Sequence, residues 1–157
     1  MEQSSRVTNI KSEVIKRDFK WARNYLTLLE DAEAEWEAKS NKTAQERGRQ
    51  KSIHSAFSLA AVVAYMRPFT TGHRPIVREN EPWINGADIL VKLDSRPDLK
   101  KLHVEYSELR HNTLAHTAEK SFEPHLIKSI ARKSIPKFRE LIDEVERLVK
   151  DKNGAQK

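Results

Sequence analysis

The fold of this chain is decided by residues 12–38, which read SEVIKRDFKWARNYLTLLEDAEAEWEA. Apolar residues recur there at spacings of four, three, four, three and seven, the pattern of one helix face. They are Ile15, Phe19, Ala22, Leu26, Leu29 and Trp36. A second apolar strip lies beside them and consists of Val14, Trp21, Tyr25 and Leu28. The stretch predicts one long helix buried on more than one side, as in a helix bundle or a dimer interface.

The next part of the chain predicts two more helices and a long connection. Thr43 is a candidate N-cap, and Glu46 completes a capping box with it three residues later. Residues 53–66 are apolar nearly all round, which indicates a central helix. Residues 68–82 contain three prolines and a glycine and predict an irregular connection. Residues 83–93 return to roughly helical spacing.

The C-terminal half predicts further helices and no strand. Ser95 as N-cap, Pro97 in the first turn and Asp98 behind it predict the start of a long helix. Residues 121–124 predict another helix start, and Pro136 predicts a restart or kink before the last amphipathic helix. The fold class expected is all-α, an up-and-down bundle of four long helices with short accessory helices.

Length and composition exclude several classes of protein. The 157 residues fit one domain, expected over residues 10–150, with flexible ends at 1–9 and 151–157. No window is apolar enough to span a membrane and no signal peptide is visible, so we expect a soluble cytoplasmic protein. The absence of cysteine excludes disulfides and thiolate metal sites, and the four glycines form no phosphate-binding loop. The net charge of +6 favours an anionic partner, although ordinary solubility explains it equally well.

One segment combines several residue types used in catalysis, residues 108–117, which read ELRHNTLAHT. A histidine such as His116 can accept and return a proton near neutral pH, and Arg110 can clamp phosphate oxygens. Together they suit cleavage of RNA without a metal, because the 2′-hydroxyl of RNA supplies the nucleophile. On one straight helix Arg110 lies about 120° from His116 around the axis, so one flat face of the helix cannot hold both side chains. A symmetric dimer, in which each subunit contributes one copy of the segment, is the more economical arrangement. The alternative is a histidine that is only a hydrogen-bonded core residue.

The stretch Leu109-Arg-His-Asn-Thr-Leu-Ala-His116 resembles the signature of the HEPN superfamily. That signature is an arginine, a polar residue and a histidine that follows the arginine after four to six intervening positions. Here five residues intervene and the polar residue is His111. The longer phrase that runs to Pro124 is especially similar to HEPN proteins of the abortive-infection, phage-defence type.

The resemblance implies a homodimeric, metal-independent endoribonuclease that needs no cofactor and whose two motifs meet across the dimer. Arg110 would bind the scissile phosphate, His116 would transfer protons, and His111 would orient or support them. The sequence leaves open whether the protein works alone or with an antitoxin or sensor protein as a further partner. Some HEPN toxins carry a tyrosine two residues after the histidine as a modification target, but this chain has Ala118 there. Control by that modification is therefore not expected.

Other candidate residues are weaker. Asn112 shares the helix face of His116, and the basic residues Lys128, Arg132 and Lys133 could hold an RNA backbone, although a solvated helix surface explains them as well. The remaining histidines form no metal-ligand pattern, and structural or surface roles are expected for His54, His73, His103 and His125. The alternative function is a catalytically silent HEPN-like module that binds a nucleotide or a protein.

Overall fold

The structure is a computed structural model that describes residues 2–70, 83–118 and 130–154, with side chains described for 10–70, 83–111 and 130–150. Within these ranges, five α-helices follow one another: α1 (Glu2–Ala38), α2 (Ala44–Met66), α3 (Gly86–Lys92), α4 (Pro97–Ala118) and α5 (Ile135–Gly154). Short 3-10 helices occur at Arg67–Phe69, Leu93–Ser95 and Arg132–Ser134. No strand occurs in these ranges. The prediction of an all-α protein with four long helices and short accessory ones is confirmed.

Both ends of α2 and the end of α1 lie close to the places that the sequence predicts, but the start of α1 does not. Helix α1 ends at Ala38 as expected but begins at Glu2, ten residues before the expected start at Ser12. The capping box of α2 is present: the Thr43 hydroxyl accepts the Glu46 N–H at 3.2 Å, and the Glu46 carboxylate accepts the Thr43 N–H at 2.9 Å. The predicted start at residues 121–124 and most of the 68–82 connection lie outside the described residues.

The starts of α3 and α4 differ from the predictions. Helix α3 is shorter than the expected 83–93, because the Asn85 side chain accepts the Ala87 N–H at 3.0 Å and so caps the helix there. Ser95 is not the N-cap of α4. It ends a 3-10 turn in which the Arg96 N–H donates to the Leu93 carbonyl at 2.9 Å, and α4 begins after Arg96. Pro97 is therefore the first residue of α4, as the sequence predicts.

The core lies where α1, α2, α4 and α5 meet. Five members of the first α1 stripe are buried, namely Ile15, Phe19, Ala22, Leu26 and Leu29. An aromatic cluster forms the centre of the core: the Tyr65 ring centroid lies 5.9 Å from that of Phe19 and 5.4 Å from that of Phe138. Tyr106 on α4 adds a contact to Phe138 at 4.2 Å. All four long helices therefore meet in one aromatic cluster.

Ion pairs align the helices around this core. Arg23 on α1 contacts Asp143 and Glu146 on α5 at 2.6 and 2.7 Å, and Arg139 on α5 contacts Glu30 on α1 at 2.6 Å. In the part of the chain that the structure describes, no helix is both long enough and apolar enough to cross a membrane.

Candidate functional site

Arg110 and His111 lie in the C-terminal half of α4, beside an open cleft of about 290 Å³. The cleft lies between α4, the start and middle of α3, and the segment that follows α2. We call it the Arg110 cleft, and its lining consists of Met66, Phe69, Thr70, Gly86, Leu90, His103, Val104, Ser107, Glu108, Arg110 and His111. It combines an apolar wall with cationic and proton-binding side chains.

The periodicity of α4 explains how Arg110 comes to line this cleft. At 100° per residue, Arg110 lies about 40° from Tyr106 and about 20° from His103 around the helix axis. Both of those residues are buried, with exposed fractions of 6% and 3%. Arg110 therefore leaves the helix close to its core-facing side and is only partly exposed. The methylene groups of an arginine in this position are buried, and its guanidinium extends toward the edge of the core.

The charge of Arg110 is not neutralised by a neighbour in the described part of the chain. No carboxylate there lies within ion-pair distance of its guanidinium, although Glu108 also lines the cleft. Burial lowers the pKa of Arg110 from its usual value. Arg96, at the other end of α4, shows the opposite: its hydrogen bond to Glu140 raises its pKa. Since an arginine stays protonated in both settings, Arg110 presents to the cleft a positive charge that no described carboxylate neutralises.

The structure brings together only some of the predicted site residues. Arg110 and His111 share the cleft, with His111 exposed at its rim. Asn112 and His116 belong to α4 by their backbone, but their side chains lie outside the described residues. Lys128, His73 and His125 lie outside the described residues altogether.

The two remaining basic candidates lie elsewhere. Arg132 donates a hydrogen bond to Glu37 at 2.5 Å and lies 3.8 Å from a carboxylate oxygen of Glu33. The bond to Glu37 raises its pKa. Arg132 lines a separate cavity of about 410 Å³ that includes Trp36 and His54. The guanidinium of Arg132 is thus paired with carboxylates of α1. Lys133, the next residue, is exposed.

His103, which lines the Arg110 cleft, belongs to a buried pair that no sequence motif indicates. The Tyr65 hydroxyl lies 2.7 Å from Nδ1 of His103, and Phe69 packs edge-on against the imidazole at 4.9 Å. Burial lowers the pKa of His103 to about 4 and raises that of Tyr65 well above its usual value. At neutral pH both groups are therefore uncharged. No pattern in the sequence links them, because 38 positions separate them.

The remaining histidine with a described side chain has a structural contact. His54 on α2 pairs through Nε2 with Glu33 on α1, and both side chains are largely buried. This contact agrees with the structural role expected for His54. Among the described residues, no group of three or more histidine and carboxylate side chains is placed to hold a metal ion.

Comparisons with known proteins identify no relative: no family model, no curated protein and no solved structure matches the chain. The resemblance to HEPN proteins therefore depends on the sequence alone, on the Arg110 to His116 motif and the phrase that continues to Pro124. The described residues form an all-α fold with an arginine at the edge of its core, next to a histidine, that has no ion-pair partner among them.

Proposed function

We propose that this chain is a metal-independent endoribonuclease of the HEPN type, a toxin or phage-defence effector that cleaves RNA by attack of the 2′-hydroxyl. The single observation that carries the proposal is the setting of Arg110. Its guanidinium is partly buried, lacks a carboxylate partner among the described residues, and opens onto a cleft beside His111. Partial burial of an unpaired cation costs free energy, and an anion bound at Arg110 would offset that cost. A fold that retains such a cation is therefore best explained by anion binding at this position.

The role proposed for Arg110 is to hold the scissile phosphate. A guanidinium offers a planar pair of N–H donors that matches two phosphate oxygens, and its charge stabilises the pentacoordinate transition state. The partly apolar wall of the cleft strengthens this attraction, because it lowers the local dielectric constant. His111 at the rim would orient the same phosphate or the adjoining ribose.

The role proposed for His116 is proton transfer. A histidine base takes the proton of the 2′-hydroxyl, and the 2′-oxygen then attacks phosphorus. The 5′-oxygen of the next nucleotide leaves and receives a proton from a histidinium. The products are a 2′,3′-cyclic phosphate and a free 5′-hydroxyl. Arg110 and His116 diverge by about 120° on one helix, so we propose that two copies of the motif, one from each subunit, complete the site.

The test is cleavage of RNA by the purified protein in excess EDTA. The wild type is compared with Arg110→Ala, His116→Ala and the matched control Lys101→Ala, which removes an exposed cation from the same helix. We expect both motif variants to lose at least about 100-fold in rate, as for other essential catalytic groups, and the control to keep its rate. Cleavage that survives both motif substitutions would refute the assignment.

The alternative, a silent HEPN-like module that binds a nucleotide or a protein, makes a different prediction in the same assay. RNA would stay intact with the wild type, while a nucleotide or partner would still bind and would be lost with Arg110→Ala. The open setting of Arg110 is compatible with such binding, so product formation decides between the two functions. An antitoxin or sensor protein that restrains cleavage is part of the first proposal.

A further inference from the structure

An apolar strip runs along the flank of α1 beside the buried stripe, and Tyr25 within it packs against the edge of the core. This strip consists of Ile10, Val14, Trp21, Tyr25, Leu28 and Ala32, and we call it the outer strip. Helical geometry places it roughly 100° around α1 from the buried stripe. Only five large apolar side chains are exposed in the described part of the chain, and three of them, Ile10, Trp21 and Leu28, lie on this strip. Trp21 is 48% exposed and stacks on Tyr25 at 5.9 Å.

The outer strip continues into a groove at the end of the α1–α2 hairpin. Helices α1 and α2 run antiparallel: the Gln50 side chain near the start of α2 donates to the Ala32 carbonyl at 2.9 Å, and Tyr65 stacks on Phe19. Between them lies a cavity of about 310 Å³ whose lining includes Ala32, Trp36 and Ile53. Ala32 thus belongs both to the outer strip and to this groove, whose lining also includes the charged side chains of Glu35, Lys39, Glu46 and Arg49.

Beside the outer strip, the charges that have no ion-pair partner among the described residues are sorted by sign along the helix, whereas Glu13 pairs with Lys16. Arg17 and Lys20 flank its N-terminal half, and Asp31 and Glu35 flank its C-terminal half. Within the part of the chain whose side chains are described, none of these four has an ion-pair partner. Charges on the opposite edge of α1 differ, since Arg23, Glu30 and Glu37 all pair with α5 or the turn before it.

We propose that the outer strip is a self-association surface on which the α1 helices of two copies pair antiparallel. The midpoint of Trp21 and Leu28 falls between Asn24 and Tyr25, so a two-fold axis there packs Trp21 against the partner's Leu28. The same axis brings Arg17 and Lys20 toward the partner's Asp31 and the partner's Glu35. A parallel pairing would instead set like charges against each other.

The charge pattern identifies the occupant as a second copy of this chain. One helix supplies both the basic and the acidic half of each proposed ion pair, which is the self-complementarity that a two-fold interface requires. The groove beside Ala32 then receives the partner's Val14. The outer strip and its groove share no residue with the lining of the Arg110 cleft. The proposed interface is therefore distinct from the contact that would bring two copies of the Arg110 motif together in the proposed ribonuclease.

The orientation can be tested by disulfide trapping, because the native chain contains no cysteine. Positions whose numbers sum to 49 lie opposite each other, so Arg17→Cys mixed with Ala32→Cys should form a disulfide-linked dimer under mild oxidation. Each variant alone should not, since the two copies of position 17 would be about 22 Å apart along the helices. Val91→Cys, at an exposed apolar residue of α3, is the matched control. Cross-linking of Arg17→Cys alone, or no mixed product above the control, would overturn the proposal.

Sedimentation equilibrium of the full chain without RNA measures the strength of association. Trp21→Glu should raise the dissociation constant at least about 30-fold, because a buried aromatic anchor is replaced by a charge, whereas Val91→Glu should leave it unchanged. Reversing Arg17 and Lys20 to Glu should weaken association, and reversing Asp31 and Glu35 to Lys in the same chain should restore it. A wild type that stays monomeric at about 100 μM, well above the range of weak specific contacts, overturns the proposal.

Different results overturn the ribonuclease function and the α1 interface. Wild-type protein that leaves RNA intact, while the mixed 17 and 32 cysteine variants form the disulfide, contradicts only the ribonuclease function. Wild-type protein that cleaves RNA in EDTA, while the mixed variants form no disulfide, contradicts only this interface.

Discussion

The hydroxyl of Tyr65 and Nδ1 of His103 lie 2.7 Å apart in the interior, and this hydrogen bond joins α2 to α4 directly behind the Arg110 cleft. Tyr65 is fully buried and also contacts Phe19 and Phe138, so it connects α4 to the whole aromatic core. Because His103 is seven residues before Arg110, it fixes the rotation of α4 from which Arg110 reaches the cleft. The position of the candidate site thus depends on a neutral pair inside the protein.

Removing the Tyr65 hydroxyl should destabilise the fold. In Tyr65→Phe the ring contacts remain but a buried imidazole nitrogen loses its partner, which costs about 1–3 kcal/mol. The measurement is the free energy of unfolding in urea. The control is the double variant Tyr65→Phe with His103→Leu, which removes both polar groups and should recover part of the loss. Equal stability of wild type and Tyr65→Phe would show that the hydrogen bond contributes nothing.

The stability of the protein should fall as the pH falls from about 6.5 to about 4. Burial lowers the pKa of His103 in the folded state to about 4, so the unfolded chain binds a proton that the folded chain does not. Stability therefore rises with pH across this window, by roughly 3 kcal/mol from this residue at about 1.4 kcal/mol per pKa unit.

Comparison with His103→Leu isolates this contribution. Carboxylates such as Glu140, whose pKa is lowered by its hydrogen bonds to Lys137 and Arg96, also lose stabilising contacts on acidification. They are shared by the wild type and the variant. The slope of stability against pH between about 4 and 6.5 should be smaller in His103→Leu, and parallel curves would contradict a neutral buried His103.

The capping box at the start of α2 should contribute measurably to stability. Thr43→Ala removes the hydroxyl that accepts the Glu46 N–H and should cost about 1 kcal/mol. Thr43→Ser keeps the acceptor oxygen and serves as the matched control, with little change expected. The readout is the midpoint of thermal unfolding. A Thr43→Ser variant as unstable as Thr43→Ala would assign the effect to packing rather than to the cap.

Most of the fold follows from local patterns in the sequence. The α1 stripe, the capping box at Thr43 and Pro97 at the start of α4 are each encoded by neighbouring residues. The structure confirms the capping box, Pro97 and the burial of the stripe except at Trp36, which is only partly buried. The predictions for the start of α3 and for Ser95 as an N-cap are wrong. The Asn85 side chain caps α3 within a stretch whose apolar spacing predicts an earlier start, and Ser95 belongs to a 3-10 turn.

The candidate site can be predicted from the sequence only in part. Arg110 and His111 belong to a motif within one helix, and that helix does place both beside the same cleft. The Tyr65–His103 pair and the ion pairs of Arg132 with α1 depend on how distant segments pack, which no local period encodes. Packing also gives the two apolar strips of α1 different environments. Most of the first strip is buried, whereas Trp21 and Leu28 of the second are exposed.

Arg110 should prove dispensable for stability although it is essential for the proposed activity. Its guanidinium is partly desolvated and has no ion-pair partner in the described chain, so Arg110→Leu removes an unfavourable burial without breaking a contact. We expect the free energy of unfolding to be unchanged or higher, with RNA cleavage lost. Arg23→Leu is the matched control, since it breaks the contacts with Asp143 and Glu146 and should cost about 1 kcal/mol. Both are measured by urea unfolding and by the EDTA cleavage assay. A clear loss of stability in Arg110→Leu would mean that the cation serves the fold, and the main support for a phosphate-binding role would be gone.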